Sequence, residues 1–217
     1  MTRRDVTRLY LVVATLLLTA PGVARAQQPA ADRIFVGASL FGEVKRFSGE
    51  PGEALLDGNT IGVGLVVGTA VHPRWDVQLG VDIPRETSTA RERIVTLGRN
   101  SYTLQSITAN RTLSVGALVR LRGRRVGRVQ FGYLGGISFI RLRRDAHTEA
   151  GEDVPSGLIP RPVSFIDYSA APTLGFDARI ILSEHLSLLP GIHATIVNFE
   201  PDSGILLWPR VGVRWRF

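Results

Sequence analysis

From residue 34 to the C-terminus, apolar side chains recur at every second position in successive runs, with glycine, polar or charged residues between them. Period two is the repeat of a β-strand and not of a helix. Ile34, Val36, Ala38, Leu40 and Val44 alternate with Phe35, Gly37, Ser39, Phe41, Glu43 and Lys45 in the first predicted strand. Ile61, Val63, Leu65, Val67 and Val71 alternate with Gly62, Gly64, Gly68 and Ala70 in the second. The third sets Trp75, Val77, Leu79, Val81 and Ile83 against Asp76, Gln78, Gly80 and Asp82, and the fourth sets Leu113, Val115, Ala117, Val119 and Leu121 against Ser114, Gly116 and Arg120. Val129, Phe131, Tyr133, Ile137 and Phe139 then oppose Gln130, Gly132, Gly136 and Ser138, and Pro172, Leu174, Phe176 and Ala178 oppose Thr173, Gly175, Asp177 and Arg179. In the seventh strand Leu186, Leu188, Ile192 and Ile196 face away from Ser187, Gly191, His193 and Thr195. Residues 205–217 form the eighth, with Leu207, Val211, Val213, Trp215 and Phe217 on one face and Trp208, Arg210, Gly212, Arg214 and Arg216 on the other. The connections after strands two, four and six are about two to five residues and those after one, three and five about 12 to 22, the alternation of short inner turns and long surface loops of a membrane barrel. The connection over 199–204 is a short exception.

A last strand that is apolar at every second position and ends in an aromatic residue suits a wall with lipid outside and a polar interior. In these residues the chain resembles the small outer-membrane β-barrel family of Gram-negative bacteria, of the OmpA/OmpX type. The resemblance implies an all-β fold, an eight-stranded antiparallel up-and-down transmembrane β-barrel in the outer membrane. It also implies that Phe217 with Trp215 serves as the assembly signal read by the barrel insertion machinery.

Alternation alone does not say which face is outside, since a soluble barrel of the lipocalin kind alternates with its apolar face inward. Glycine on an outer surface has no packing reason, whereas within a narrow barrel small residues make room for long ones. A charge facing lipid near the midplane costs about 2–4 kcal/mol. The polar set is therefore assigned to the lumen, with Glu43, Asp76, Asp82, Arg120, Asp177, Arg179, His193, Arg210 and Arg214 as a charge network. Because strands eight and one meet on closure, Arg210 and Arg214 are expected to reach toward Glu43, with Gln78, Gln130 and His193 completing the hydrogen bonds. Trp75, Tyr133 and Trp215 near strand ends fit aromatic girdles.

Residues 1–26 read as a cleaved signal peptide: Arg3, Arg4 and Arg8 precede an apolar core over 9–18, too short for a membrane-spanning helix, and Ala24 and Ala26 bracket a cleavage site. Residues 27–217 are left as one barrel domain. The net charge is +7, and the leader holds four arginines against one aspartate, so about +4 stays on the mature chain. Scattering of these charges through alternating strands leaves no basic stripe for nucleic acid, and anionic lipid head groups are the expected partners. A monomer is expected. The absence of cysteine excludes disulfides, thiolate metal sites and lipidation of a cysteine.

No catalytic, cofactor or metal residue is assigned. The glycines Gly62, Gly64 and Gly68 lack the spacing and the following helix of a dinucleotide fingerprint. Asp145, His147 and Glu149 share one side of an extended backbone as candidate metal ligands, with a solvated loop as the plainer reading. His193, Ser187 and Asp177 supply the residue types of a triad, but Ser187 lies about two pleats from His193. Some outer-membrane barrels modify lipid A, and His193, Thr195 and Glu200 occupy comparable places, although threonine stands where a deacylase would want serine. The expectation is a non-catalytic structural or surface-interaction protein, with a lipid A-modifying enzyme and a narrow solute pore as alternatives. Arg91, Arg93, Arg99, Arg141, Arg143, Arg144 and Arg161 fall in or beside the second and third outer loops. Of these, Arg141, Arg143 and Arg144 are candidate contacts to lipopolysaccharide phosphates.

Overall fold

The computed structural model describes residues 34–48, 58–97, 99–151, 153–199 and 202–217. The leader over 1–26, the first outer connection over 49–57 and Glu200 lie outside the described residues. Nine strand segments follow in order: β1 (Ile34–Ser48), β2 (Gly58–His72), β3 (Trp75–Pro84), β4 (Thr87–Leu97), β5 (Asn100–Val126), β6 (Val129–Ala150), β7 (Val163–Ile181), β8 (Leu186–Phe199) and β9 (Asp202–Arg216). All pairings are antiparallel between chain neighbours, with two additions that close the sheet on itself: β9 returns to β1, and β3 pairs directly with β5.

The ninth segment does not add a ninth stave to the barrel. β3 pairs with the lower part of β5, Asp82 facing Ser114, and β4 pairs with its upper part, Thr87 facing Asn110. Four residues, 83 to 86, thus stand opposite three, 111 to 113, which is a β-bulge in one long strand. The barrel is eight-stranded, and the expected second outer loop is instead a β-hairpin of β4 with the upper part of β5, paired out to Leu97 and Asn100. The expected third loop is likewise mostly strand: β6 and β7 stay paired out to Ala146 and Val163. A membrane crossing takes roughly 9–11 residues of strand, so the 27 residues of β5 and 22 of β6 carry the wall well beyond one crossing.

At the other end the connections are tight, with Pro73 and Arg74 after β2, Gly127 and Arg128 after β5, and residues 182–185 after β7. Gly127 takes a left-handed backbone (φ 59°), which glycine adopts without steric cost. Both chain ends of the barrel meet here, where the Phe217 amide donates to the Ile34 carbonyl at 3.1 Å.

The outward face carries a continuous apolar belt. Leu40, Leu65, Leu79, Phe139, Leu174 and Val211 are each at least half exposed, and their neighbours on every strand continue the belt. The opposite face is buried: Glu43, Asp76 and Arg120 are fully sequestered in the lumen. Small residues make this possible. A Cβ on Gly132 would lie 2.5 Å from the Arg120 guanidinium, and one on Gly68 would lie 2.3 Å from the Phe35 ring.

Candidate functional site

The lumen is the largest assembly of converging polar groups, and it is built in layers. At the tight-turn end Arg120 from β5 donates from Nε to both Asp177 oxygens, at 2.9 and 2.8 Å, and from Nη2 to Oδ1 at 2.5 Å. Asp76 from β3 lies between three guanidiniums: Arg122 donates to its Oδ1, while Arg120 and Arg214 approach Oδ2 at 3.6 and 3.7 Å. Arg214 also donates to Gln78 at 3.2 Å and stacks 3.9 Å from the centroid of Phe35. Opposite charges so held offset much of the cost of leaving water, which isolated ones could not.

Above this layer Arg210 donates to Asp82 at 2.7 Å across the barrel and lies over Phe41. A cavity of about 70 Å³ remains here, bordered by Ser39, Asp82, Leu118, Leu134, His193 and Trp208. Higher still, Lys45 pairs with Glu43 at 3.1 Å and donates to Thr112 at 2.9 Å, and the Trp208 indole donates to the same carboxylate at 3.3 Å. Thr173 links Ser138 and Thr195 in a hydroxyl chain at 2.7 and 2.8 Å. Beside these polar groups, in the outer half of the lumen, Phe41, Ile140, Leu142, Ala171, Val197, Phe199, Leu206 and Trp208 form one buried apolar cluster.

All nine residues assigned to the charge network are lumenal, but the pairing differs from expectation. Arg210 and Arg214 do not reach Glu43. The β1–β9 register sets Arg214 opposite Gly37 and Arg210 opposite Phe41, which leaves Glu43 to Lys45 and Trp208. Arg179 has no carboxylate partner among the described residues; its Nε donates to Ser187 at 2.9 Å. Gln78 joins the network as expected, whereas Gln130 lines the mouth at the tight-turn end and the His193 ring packs over Gly175. The alternation of faces does not predict the apolar cluster, although Trp208 and Leu206 on the lumenal face of the last strand carry its signal.

The triad does not assemble, because Ser187 is held by Arg179 and Asp177 by Arg120, and neither bonds His193. Thr195 belongs to the hydroxyl chain. Asp145, His147 and Glu149 do share a face, though of strand β6 and not of a loop. Asp145 is taken up by Ser164 and Arg143, at 2.6 and 2.9 Å, and His147 lies 3.7 Å from Glu149. The Ser164 hydroxyl foremost, with Arg143, holds the Asp145 carboxyl below its usual range. Among the described residues no group of three such side chains is placed to hold a metal.

Arg141 and Arg143 both face outward, directly above the belt residue Phe139, and Arg111 stands opposite Arg143 on the same face. Arg144 lies on the other face of β6 and does not join them. Arg111 replaces it in the cluster. It contacts Glu86, and Arg143 contacts Asp145.

No protein-family model and no curated protein matches the chain. Solved structures do. Neisserial surface protein A aligns with a TM-score of 0.54 at 11% identity, over 85% of this chain and 97% of its own. Ail, the attachment invasion locus protein of Yersinia pestis, aligns with a TM-score of 0.51 at 14% identity, over 86% and 99%. At such identities the likeness establishes the fold, that of the small outer-membrane β-barrels.

Proposed function

We propose that the chain is a non-catalytic protein of the bacterial outer membrane, a filled barrel whose lumen is structural and whose outward and outer-end surfaces meet lipid and surroundings. The observation that carries this reading is the combination of an unbroken apolar belt outside with paired, buried charges inside. A soluble barrel would turn the same faces the other way. The leader over 1–26 supplies the export route, and the exposed Trp215 and Phe217 at the closing strand supply the assembly signal. Expressed with its leader, the protein should enter the detergent-extracted outer-membrane fraction in a heat-modifiable form. Deleting Phe217 should lower that form severalfold on gels. Recovery of the intact chain from the soluble periplasm would overturn the assignment.

The outward arginines just above the belt extend this reading to lipopolysaccharide. Guanidinium forks bind phosphate oxygens in bidentate fashion, and Arg141 has no acidic partner among the described residues. Neutralising Arg111, Arg141 and Arg143 together should reduce lipopolysaccharide co-purification, while Arg144→Gln should leave it unchanged. Equal retention by the triple variant would mean that Glu86 and Asp145 satisfy the cluster internally.

A further inference from the structure

The mouth of the barrel at the tight-turn end is a recess of about 630 Å³ lined by Arg122, Arg125, Gln130, Arg179, His185 and Arg216. Glu184 is the only carboxylate in its lining among the described residues. Just inside, the carboxylates of Asp76 and Asp177 are already engaged by Arg120 and Arg122. Among the described residues, four guanidiniums, those of Arg120, Arg122, Arg179 and Arg214, therefore share this end with the two lumenal carboxylates of Asp76 and Asp177.

An excess of this sign inside a narrow, poorly screened wall is unfavourable unless an anion balances it. Arg179 is 95% buried, with its side chain exposed for only 5% of its area. Its Nε is fixed by Ser187, and its Nη groups have no acceptor among the described residues. A planar fork oriented in this way suits oxygens in pairs, as on phosphate or carboxylate, better than a spherical halide. The layer formed by Arg120, Asp177 and Asp76 closes the floor, so a ligand entering from this side is held and does not pass.

The geometry points to a binding site for a polyvalent oxyanion, a phosphate or polycarboxylate group, in this mouth. Arg179 grips it from within, and Arg125 sits at the rim. The site is independent of the outward arginine cluster, which lies beyond the opposite end of the belt.

The test is isothermal titration calorimetry of the full barrel in a zwitterionic detergent at low salt, with inorganic pyrophosphate, citrate and chloride as separate probes. Pyrophosphate or citrate should bind about tenfold or more tightly than chloride, in keeping with charge-assisted hydrogen bonds. The tighter of the two identifies the source as phosphate or carboxylate. Arg179→Gln should weaken that binding about tenfold, and Arg144→Gln at the far end should not change it. Should Arg179→Gln fail to refold, the rim variant Arg125→Gln carries the same comparison. Oxyanions that bind no better than chloride, or mouth variants that bind like the parent, would overturn the site.

Discussion

Replacing Arg120 by alanine is expected to destabilise the folded barrel by about 3–5 kcal/mol, the cost of stranding buried partners of a removed charge. Arg120 is fully buried, makes three hydrogen bonds to Asp177 and approaches Asp76. Its loss leaves Asp177 without that partner and opens a hole over Gly132, whose missing side chain makes the space the guanidinium fills. Lysine should rescue little, because a point charge does not reproduce the fork. The double change Arg120→Leu with Asp177→Leu should cost less than Arg120→Ala alone, since no charge is then stranded. Urea unfolding in micelles, followed by tryptophan fluorescence, measures all of these. An Arg120→Ala midpoint equal to the parent's would show that the lumen network contributes nothing to stability.

The second large effect lies on the opposite face. Leu65 is 63% exposed, in the middle of β2, with Ala38 and Val81 beside it in the belt. On a water-facing surface Leu65→Arg would change stability by no more than about 0.5 kcal/mol. Facing lipid near the midplane it should cost about 2–4 kcal/mol. The same unfolding experiment in lipid vesicles, with Arg substituted instead at exposed Ile94 in the hairpin beyond the belt, gives the comparison. Ile94→Arg should be nearly neutral, and a similarly small effect at both positions would remove the belt from contact with lipid.

What could be read from the sequence was whatever a two-faced environment enforces. Where one face meets lipid and the other a packed lumen, as along β3, polarity segregates at every position and a strand can be identified from its letters. Above the belt that constraint lapses. Ala90, Arg91, Glu92 and Arg93 alternate in no useful way because both faces of β4 are largely exposed, so the hairpin and the long outer halves of β6 and β7 looked like loops. The bulge over 83–86 also shifts the phase of the pattern. Partner choice in the lumen escaped for a different reason. Composition supplies the charges, but interstrand register decides who meets whom, and a register offset moved Arg214 to Asp76 and Gln78 and left Glu43 with Lys45.

The central claim is that the barrel is a closed post. Eight strands enclose an interior only just wide enough for side chains, the mid-lumen cavity of about 70 Å³ has room for no more than a few waters, and a buried apolar cluster around Phe41 and Trp208 fills part of its outer half. The most direct measurement is single-channel recording of the purified barrel in planar bilayers. The bilayer should remain at baseline under applied voltage, without discrete steps. A stable, reproducible conductance would contradict the filled lumen and favour the alternative of a narrow pore.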